Sequence, residues 1–195
     1  MFGWIKNLLL SKPDLTIPTS ACGIPAYCSA FENAIKFTRS CGIKVKDCTW
    51  LSTNAIDSNG NCIQGVLDFA NVESMDGAAG QCLKWSHFLE NAFRTKLQCE
   101  AWVTLGQIWK GNKPVYNPTW EDLERWAKIG LQQSDFTERK GLNLHAWITL
   151  QTGELVDPTY CTSLASALVA YRQNHGQVIC GPDPGVLSGH RYFPM

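Results

Sequence analysis

From Leu142 to Leu150 apolar and polar residues alternate with period two. Leu142, Leu144, Ala146, Ile148 and Leu150 fall on one side, Asn143, His145, Trp147 and Thr149 on the other. Nine residues of alternation predict a β-strand with one face in the core. A period near 3.6 runs through Trp85, Phe88, Leu89, Ala92 and Phe93 and predicts an amphipathic helix opening at Cys82. Phe31, Ala34, Ile35 and Thr38 repeat that spacing, with Gly42 as the stop. Trp120, Leu123, Trp126 and Ala127 follow Thr119 and Asp122, a capping-box pair with Asp in place of Glu. A last helix is expected from about Ser163 to Asn174, ending at Gly176. Cys99 to Trp109 reads as a strand, and residues 43–51 carry a weaker strand signal. Residues 11–28, 52–62, 110–118 and the tail after Cys180 are rich in turn formers and read as loops. Helices first and an antiparallel sheet afterwards make an α+β fold. Residues 1–70 are expected to form a helical and irregular region packed on a core of residues 71–195, one globular unit in all.

Composition narrows the field. Hydrophobic residues make up 45% of the 195 and charged residues 17%, below the roughly 25% usual for soluble domains, so a buried core is expected. Seventeen Lys and Arg balance seventeen Asp and Glu, which argues against a broad nucleic-acid surface. No apolar run approaches the roughly 18 residues of a transmembrane segment. Met1 to Leu10 reads as a short amphipathic helix with Trp4, Ile5, Leu8 and Leu9 on one side. Its apolar centre is short for a secretory signal, so a cytoplasmic location is the default expectation, with export by a non-classical route left open. None of the nine cysteines is spaced C-x-x-C, so neither a zinc nor a redox motif is expected, and neither a metal nor another cofactor. Reduced thiols are the expectation. Five of the nine cysteines precede residue 63, so any disulfide would staple the N-terminal region.

Cys82 follows Gly80 and Gln81 at the start of the predicted helix. A helix N-terminus carries partial positive charge and free N–H groups, which favour a thiolate and can hydrogen-bond an oxyanion. His145 lies on the polar side of the strand and Asp157 in its hairpin partner. Nucleophile, base and orienter are thus all present. A two-residue turn at Thr152-Gly153 would set Asp157 opposite Ile148, away from His145. A three-residue loop, Gln151-Thr152-Gly153, sets it opposite Trp147, diagonal to His145 on the same face and roughly 7–8 Å away. Glycine favours the third position of such a loop, so the three-residue register is expected. Gln81, Gly80, Trp147 and Asn143 are the candidate substrate-binding or oxyanion residues, Trp147 as a cover that limits water access. His175 and His190 are expected to be solvated.

Gly80-Gln81-Cys82 before a helix, His145-Ala146-Trp147 and Asp157-Pro158-Thr159 resemble the motifs of the transglutaminase-like branch of papain-fold cysteine enzymes. The resemblance spans residues 76–160. It implies a helix-borne thiol packed on an antiparallel sheet, a catalytic core over 71–195, a Cys82-His145-Asp157 triad, and a protein or peptide substrate attacked through a thioester. Peptidases, glutamine deamidases and transglutaminases all belong to the group, and effector or toxin domains are associated with it. Two positions depart from it. Leu83 stands where transglutaminases carry Trp, and Asp76 where papain-type peptidases place an oxyanion glutamine, which leaves the second oxyanion donor unassigned. Two rival readings are an inactive binding module on the same scaffold and a disulfide-rich exported structural protein.

Overall fold

The structure, a computed structural model, describes residues 24–57, 59–137, 142–181 and 189–195. The expected helix at Met1 to Leu10 lies outside them. Ten principal elements follow one another: α1 (Ile24–Ser40), α2 (Asn61–Phe69), α3 (Cys82–Leu97), β1 (Ala101–Lys110), β2 (Lys113–Tyr116), α4 (Trp120–Ile129), then, after a single helical turn at Ser134–Thr137, β3 (His145–Leu150), β4 (Leu155–Asp157), α5 (Tyr160–Ala167) and β5 (Ile179–Gly181). A final strand, β6 (His190–Pro194), completes the sheet. Strand order is β2-β1-β3-β4-β5, all antiparallel, with β6 also paired to β1. The fold is therefore α+β with an antiparallel sheet. Among the described residues no helix is long and apolar enough to cross a membrane.

Helices cover both faces of the sheet. Ile63, Val66 and Leu67 of α2 and Leu89, Ala92 and Phe93 of α3 pack with Ala101, Ile148, Leu150 and Val156. On the other face Tyr27 of α1 and Tyr160 and Cys161 of α5 pack with Ile108, Trp147, Leu155 and Tyr192. Strand β3 is consequently buried along both sides, which corrects the one-sided reading of its alternation; the strand also starts at His145 rather than Leu142. The polar side tolerates burial because its groups satisfy one another. Trp147 Nε1–H donates to the Tyr27 hydroxyl at 2.6 Å, that hydroxyl is 2.6 Å from Thr149 Oγ1, and Thr149 is 2.6 Å from Thr104 Oγ1.

The hairpin between β3 and β4 adopts the three-residue register. Ile148 pairs with Val156 and Thr149 with Leu155, Leu150 N–H donates to Glu154 O, and Gly153 sits at φ 81°. The Thr119 capping box also forms, with both reciprocal hydrogen bonds.

Other expectations are corrected. Helix α1 begins at Ile24, inside the stretch read as a loop, and residues 43–50 form no strand. Helix α2 begins at Asn61, inside the stretch 52–62 read as a loop. In α3 the buried stripe is Ser86, Leu89, Ala92 and Phe93, while Phe88 is exposed. The last helix is α5 from Tyr160, followed by a 3-10 turn at Val169–Asn174. The tail read as loop contributes the last residue of β5 and all of β6.

The loop before α2 is held by Glu154, whose fully buried carboxylate accepts from Ala55 N–H at 2.6 Å, Ile56 N–H and the Thr152 hydroxyl. Where β1 meets β6, Gly106 leaves no room for a side chain. A Cβ there would fall inside the van der Waals shell of the Phe193 carbonyl and 2.8 Å from the Trp147 ring. Gly106→Ala is expected to lose about 3 kcal/mol by forcing β6 off β1, read as a lower midpoint in urea unfolding with an unchanged slope.

Candidate active site

Three segments converge beyond the end of β4. The first is the turn before α3. Gly80, at φ 67°, donates its N–H to Ser163 Oγ of α5 at 3.0 Å, which ties this turn to the sheet's other flank. The first intrahelical bond of α3 runs from Trp85 N–H to Gln81 O, and no side chain caps this end. The N–H groups of Cys82, Leu83 and Lys84 precede that bond, so they have no partner within the helix. Cys82 is the first helical residue and is partly exposed.

The second segment is the start of β3. Cys82 Sγ lies 3.9 Å from the Leu144 carbonyl, and the His145 ring and Ala146 N–H stand near enough to the thiol to stabilise its thiolate. The third segment is the end of β4. Continuing the hairpin register sets Asp157 opposite Trp147, and Asp157 Oδ2 accepts from His145 Nε2–H at 2.7 Å. With Nε2 turned to the carboxylate, Nδ1 is the ring nitrogen left for the thiol. Cys82, His145 and Asp157 are therefore successive neighbours, thiol to imidazole to carboxylate, the last two with almost no exposed surface.

Electrostatics follow from this line. Burial pushes the Cys82 thiol up and the Asp157 charge adds to that. The hydrogen bond and charge of His145, with Ala146 N–H, outweigh both and bring the thiol below its ordinary range. Burial disfavours the His145 imidazolium, but the Asp157 charge and hydrogen bond, followed by those of Cys82, raise its pKa to about 10. The other thiols differ. Burial raises Cys28 and Cys161 to about 11 and Cys48 to about 12. All eight cysteines among the described residues are free.

Asp157 is held from every side. Its Oδ1 accepts from Thr159 N–H at 3.1 Å and Tyr160 N–H at 3.0 Å, donors at the start of α5. Its Oδ2 accepts from the Tyr192 hydroxyl of β6 at 2.9 Å as well as from His145. Burial, then the Asp157 charge, keeps the Tyr192 hydroxyl protonated and donating. Tyr192→Phe removes one charge-assisted hydrogen bond and is expected to cost about 1.5–3 kcal/mol, read from the denaturation midpoint.

Two further aromatic rings surround the imidazole. Tyr116 of β2 stacks on it at 4.8 Å between centroids, and Tyr160 meets it edge-on at 5.7 Å. Tyr116 is raised to about 12, by burial first and then by the negative charges of Cys82 and Asp157.

Three of the four tentative substrate-contacting residues already have partners within the fold. Trp147 is fully buried and bonded to Tyr27, so it supports the site from behind and offers no surface to a substrate. Asn143 uses its amide to hold Asn117, accepting from its N–H at 2.8 Å and donating to its carbonyl at 2.7 Å. Gln81 donates to Gly77 O at 2.9 Å and accepts from Lys84 Nζ at 3.0 Å. Gly80 has open space where a Cβ would stand.

Of the two histidines expected to be solvated, His175 is exposed and bonds Asp76 at 2.9 Å, whereas His190 is buried in β6 with its ring 4.8 Å from Tyr160. Sequence reasoning missed Tyr116, Tyr160 and Tyr192. The signal for Tyr192 was the short alternation His190, Tyr192, Pro194, all buried in the structure. Among the described residues no group of three His, Cys, Asp or Glu side chains is placed to hold a metal ion. Compared with family models, curated proteins and solved structures, the chain gives no significant match.

Proposed function

We propose that this chain is a papain-fold thiol enzyme of the transglutaminase-like branch, acting on an amide of a protein or peptide. The observation that carries the reading is the alignment of a helix-N-terminal thiol, an imidazole and a buried carboxylate, with the thiol's pKa lowered and the imidazole's raised. In this reading the Cys82 thiolate attacks the amide carbonyl and forms a C–S bond. The first-turn N–H groups of α3 stabilise the oxyanion. His145 gives its proton to the leaving nitrogen as the C–N bond breaks, which leaves a thioester. Asp157 fixes the tautomer that directs Nδ1 at sulfur. Water or an amine, deprotonated by His145, then resolves the thioester. Water on a backbone amide is proteolysis, water on a glutamine side chain is deamidation, and an amine acceptor is transamidation.

The test is site-mapped labelling with iodoacetamide from pH 5 to 9. Cys82 is expected to label well below pH 7 while Cys28, Cys48 and Cys161, with raised pKa values, stay nearly unlabelled. Labelling of Cys82 no faster than theirs overturns the reading. Ammonia release from a glutamine-containing protein, with and without added amine, then separates the three reactions.

A further inference from the structure

A half-open groove of about 320 Å³ runs beside the thiol, between the C-terminal ends of α1 and α4 and the start of β3. Two of its walls adjoin the reacting groups. Leu83 is the residue after Cys82, and Leu144, whose carbonyl lies 3.9 Å from Sγ, is the residue before His145. Phe37, Leu123, Trp126 and Leu131 supply much of the rest, and none of the described residues lining the groove is charged. Its mouth carries exposed apolar side chains, Ile43, Leu83 and Leu131. Apolar surface left open next to a reactive group marks a place where something apolar is received.

The walls say what that is. Their side chains carry no charge, and the one indole N–H among them, Trp126 Nε1, is buried away from the surface, so a charge or an amide received there would be left without a partner, which is unfavourable. Thr38, the one hydroxyl in the lining, already donates to Ala34 O at 2.8 Å. At about 30 Å³ for each water-sized group, the volume takes about ten such groups, the size of a large aromatic or branched side chain. Consecutive residues of an extended chain advance about 3.3 Å, so a peptide bound with its reacting carbonyl at Sγ brings the same or the next side chain to this groove. The α1 wall lies outside residues 76–160, so the groove is a property of this chain rather than of the motifs.

Resting on the reading of Cys82 as an acyl-transfer nucleophile, we infer that this groove is the subsite that selects substrates carrying a large apolar side chain at or next to the reacting amide.

The full chain tests this with two series of chloromethyl ketones, N-acetyl-X and N-acetyl-X-Gly, where X is Gly, Glu, Leu or Phe. Each alkylates sulfur with loss of chloride, and rates at Cys82 are divided by the iodoacetamide rate. In at least one series the Leu and Phe probes are expected to react at least about tenfold faster than the Gly and Glu probes, the discrimination typical of an apolar pocket. Leu131→Glu at the exposed rim, and Ala127→Trp filling the groove, are expected to abolish that advantage while keeping the iodoacetamide rate within about twofold. If Ala127→Trp fails to fold, Leu131→Glu decides.

Equal rates for all four X groups overturn the inference, including the case where residues 1–23 or a second copy of the chain already fills the groove. So does an advantage that survives both substitutions, or a decanoyl chloromethyl ketone that outpaces the Phe probes. Slow iodoacetamide labelling of Cys82 at pH 7 instead overturns the thiol reading, and the subsite with it.

Discussion

In His145→Ala, alkylation of Cys82 at pH 7 is expected to fall by about tenfold or more relative to the native chain, one pKa unit between the two thiols being tenfold in thiolate. The sign comes from the balance at sulfur. In the native chain the histidine's hydrogen bond and charge overcome burial and hold the thiol pKa below the ordinary range. The thiolate share at pH 7 is therefore larger than an ordinary thiol's, and it is lost as pH falls through that lowered value. Without the imidazole, burial and the Asp157 charge remain, and both push the pKa up. An ordinary thiol near pKa 8.5 is only about 3% ionised at pH 7, and a raised one less. The rate profile of the variant should climb only above pH 8.5. A variant profile that overlays the native one would remove His145 from the activation of Cys82.

Asp157→Ala is expected to be the most damaging single change to stability, at about 3–5 kcal/mol. Truncation leaves five donors facing an empty buried volume: His145 Nε2–H, the Tyr192 and Thr159 hydroxyls and the N–H groups of Thr159 and Tyr160. It also strips the imidazolium of its counter-charge. Asp157→Asn separates the two consequences. Its carbonyl oxygen can still accept from Thr159 and Tyr160, so the stability loss should be about 1–2 kcal/mol. Its amide N–H₂ then faces His145 Nε2, which must become an acceptor. That moves the ring proton to Nδ1, against the thiol. Alkylation of Cys82 at pH 7 should therefore drop as steeply in Asp157→Asn as in His145→Ala, while urea unfolding shows a fold largely intact.

The parts of this site that rest on local rules were legible in the chain. Gly153 at the third loop position sets the hairpin register, and the register brings Asp157 to His145. The helical stripe after Gly80-Gln81 places Cys82 at an N-terminus. What local rules do not contain is which polar groups find each other across the fold. Trp147 and Thr149 looked like an outward face because their partners Tyr27 and Thr104 lie 120 and 45 residues away. Tyr116 and Tyr192 come from short strands with little periodicity to display. Helix α2 carries a readable Ile63, Val66, Leu67 spacing, but Gly65 in its middle and a length of nine residues hid it beside a loop.

The pairing of β6 with β1 bears on when the site comes into being. The hairpin that joins His145 to Asp157 closes over three residues and forms early by the usual dependence on loop length. The Tyr192 hydroxyl reaches Asp157 only after β6 has docked along Gly106 to Lys110, a pairing across more than eighty residues of chain. Burial of the carboxylate, and with it the low-dielectric surroundings that strengthen its hold on the imidazole, is thus expected late in folding. A nascent or partly unfolded chain is then expected to carry Cys82, His145 and Asp157 with an unpoised sulfur, and so to be born chemically quiet.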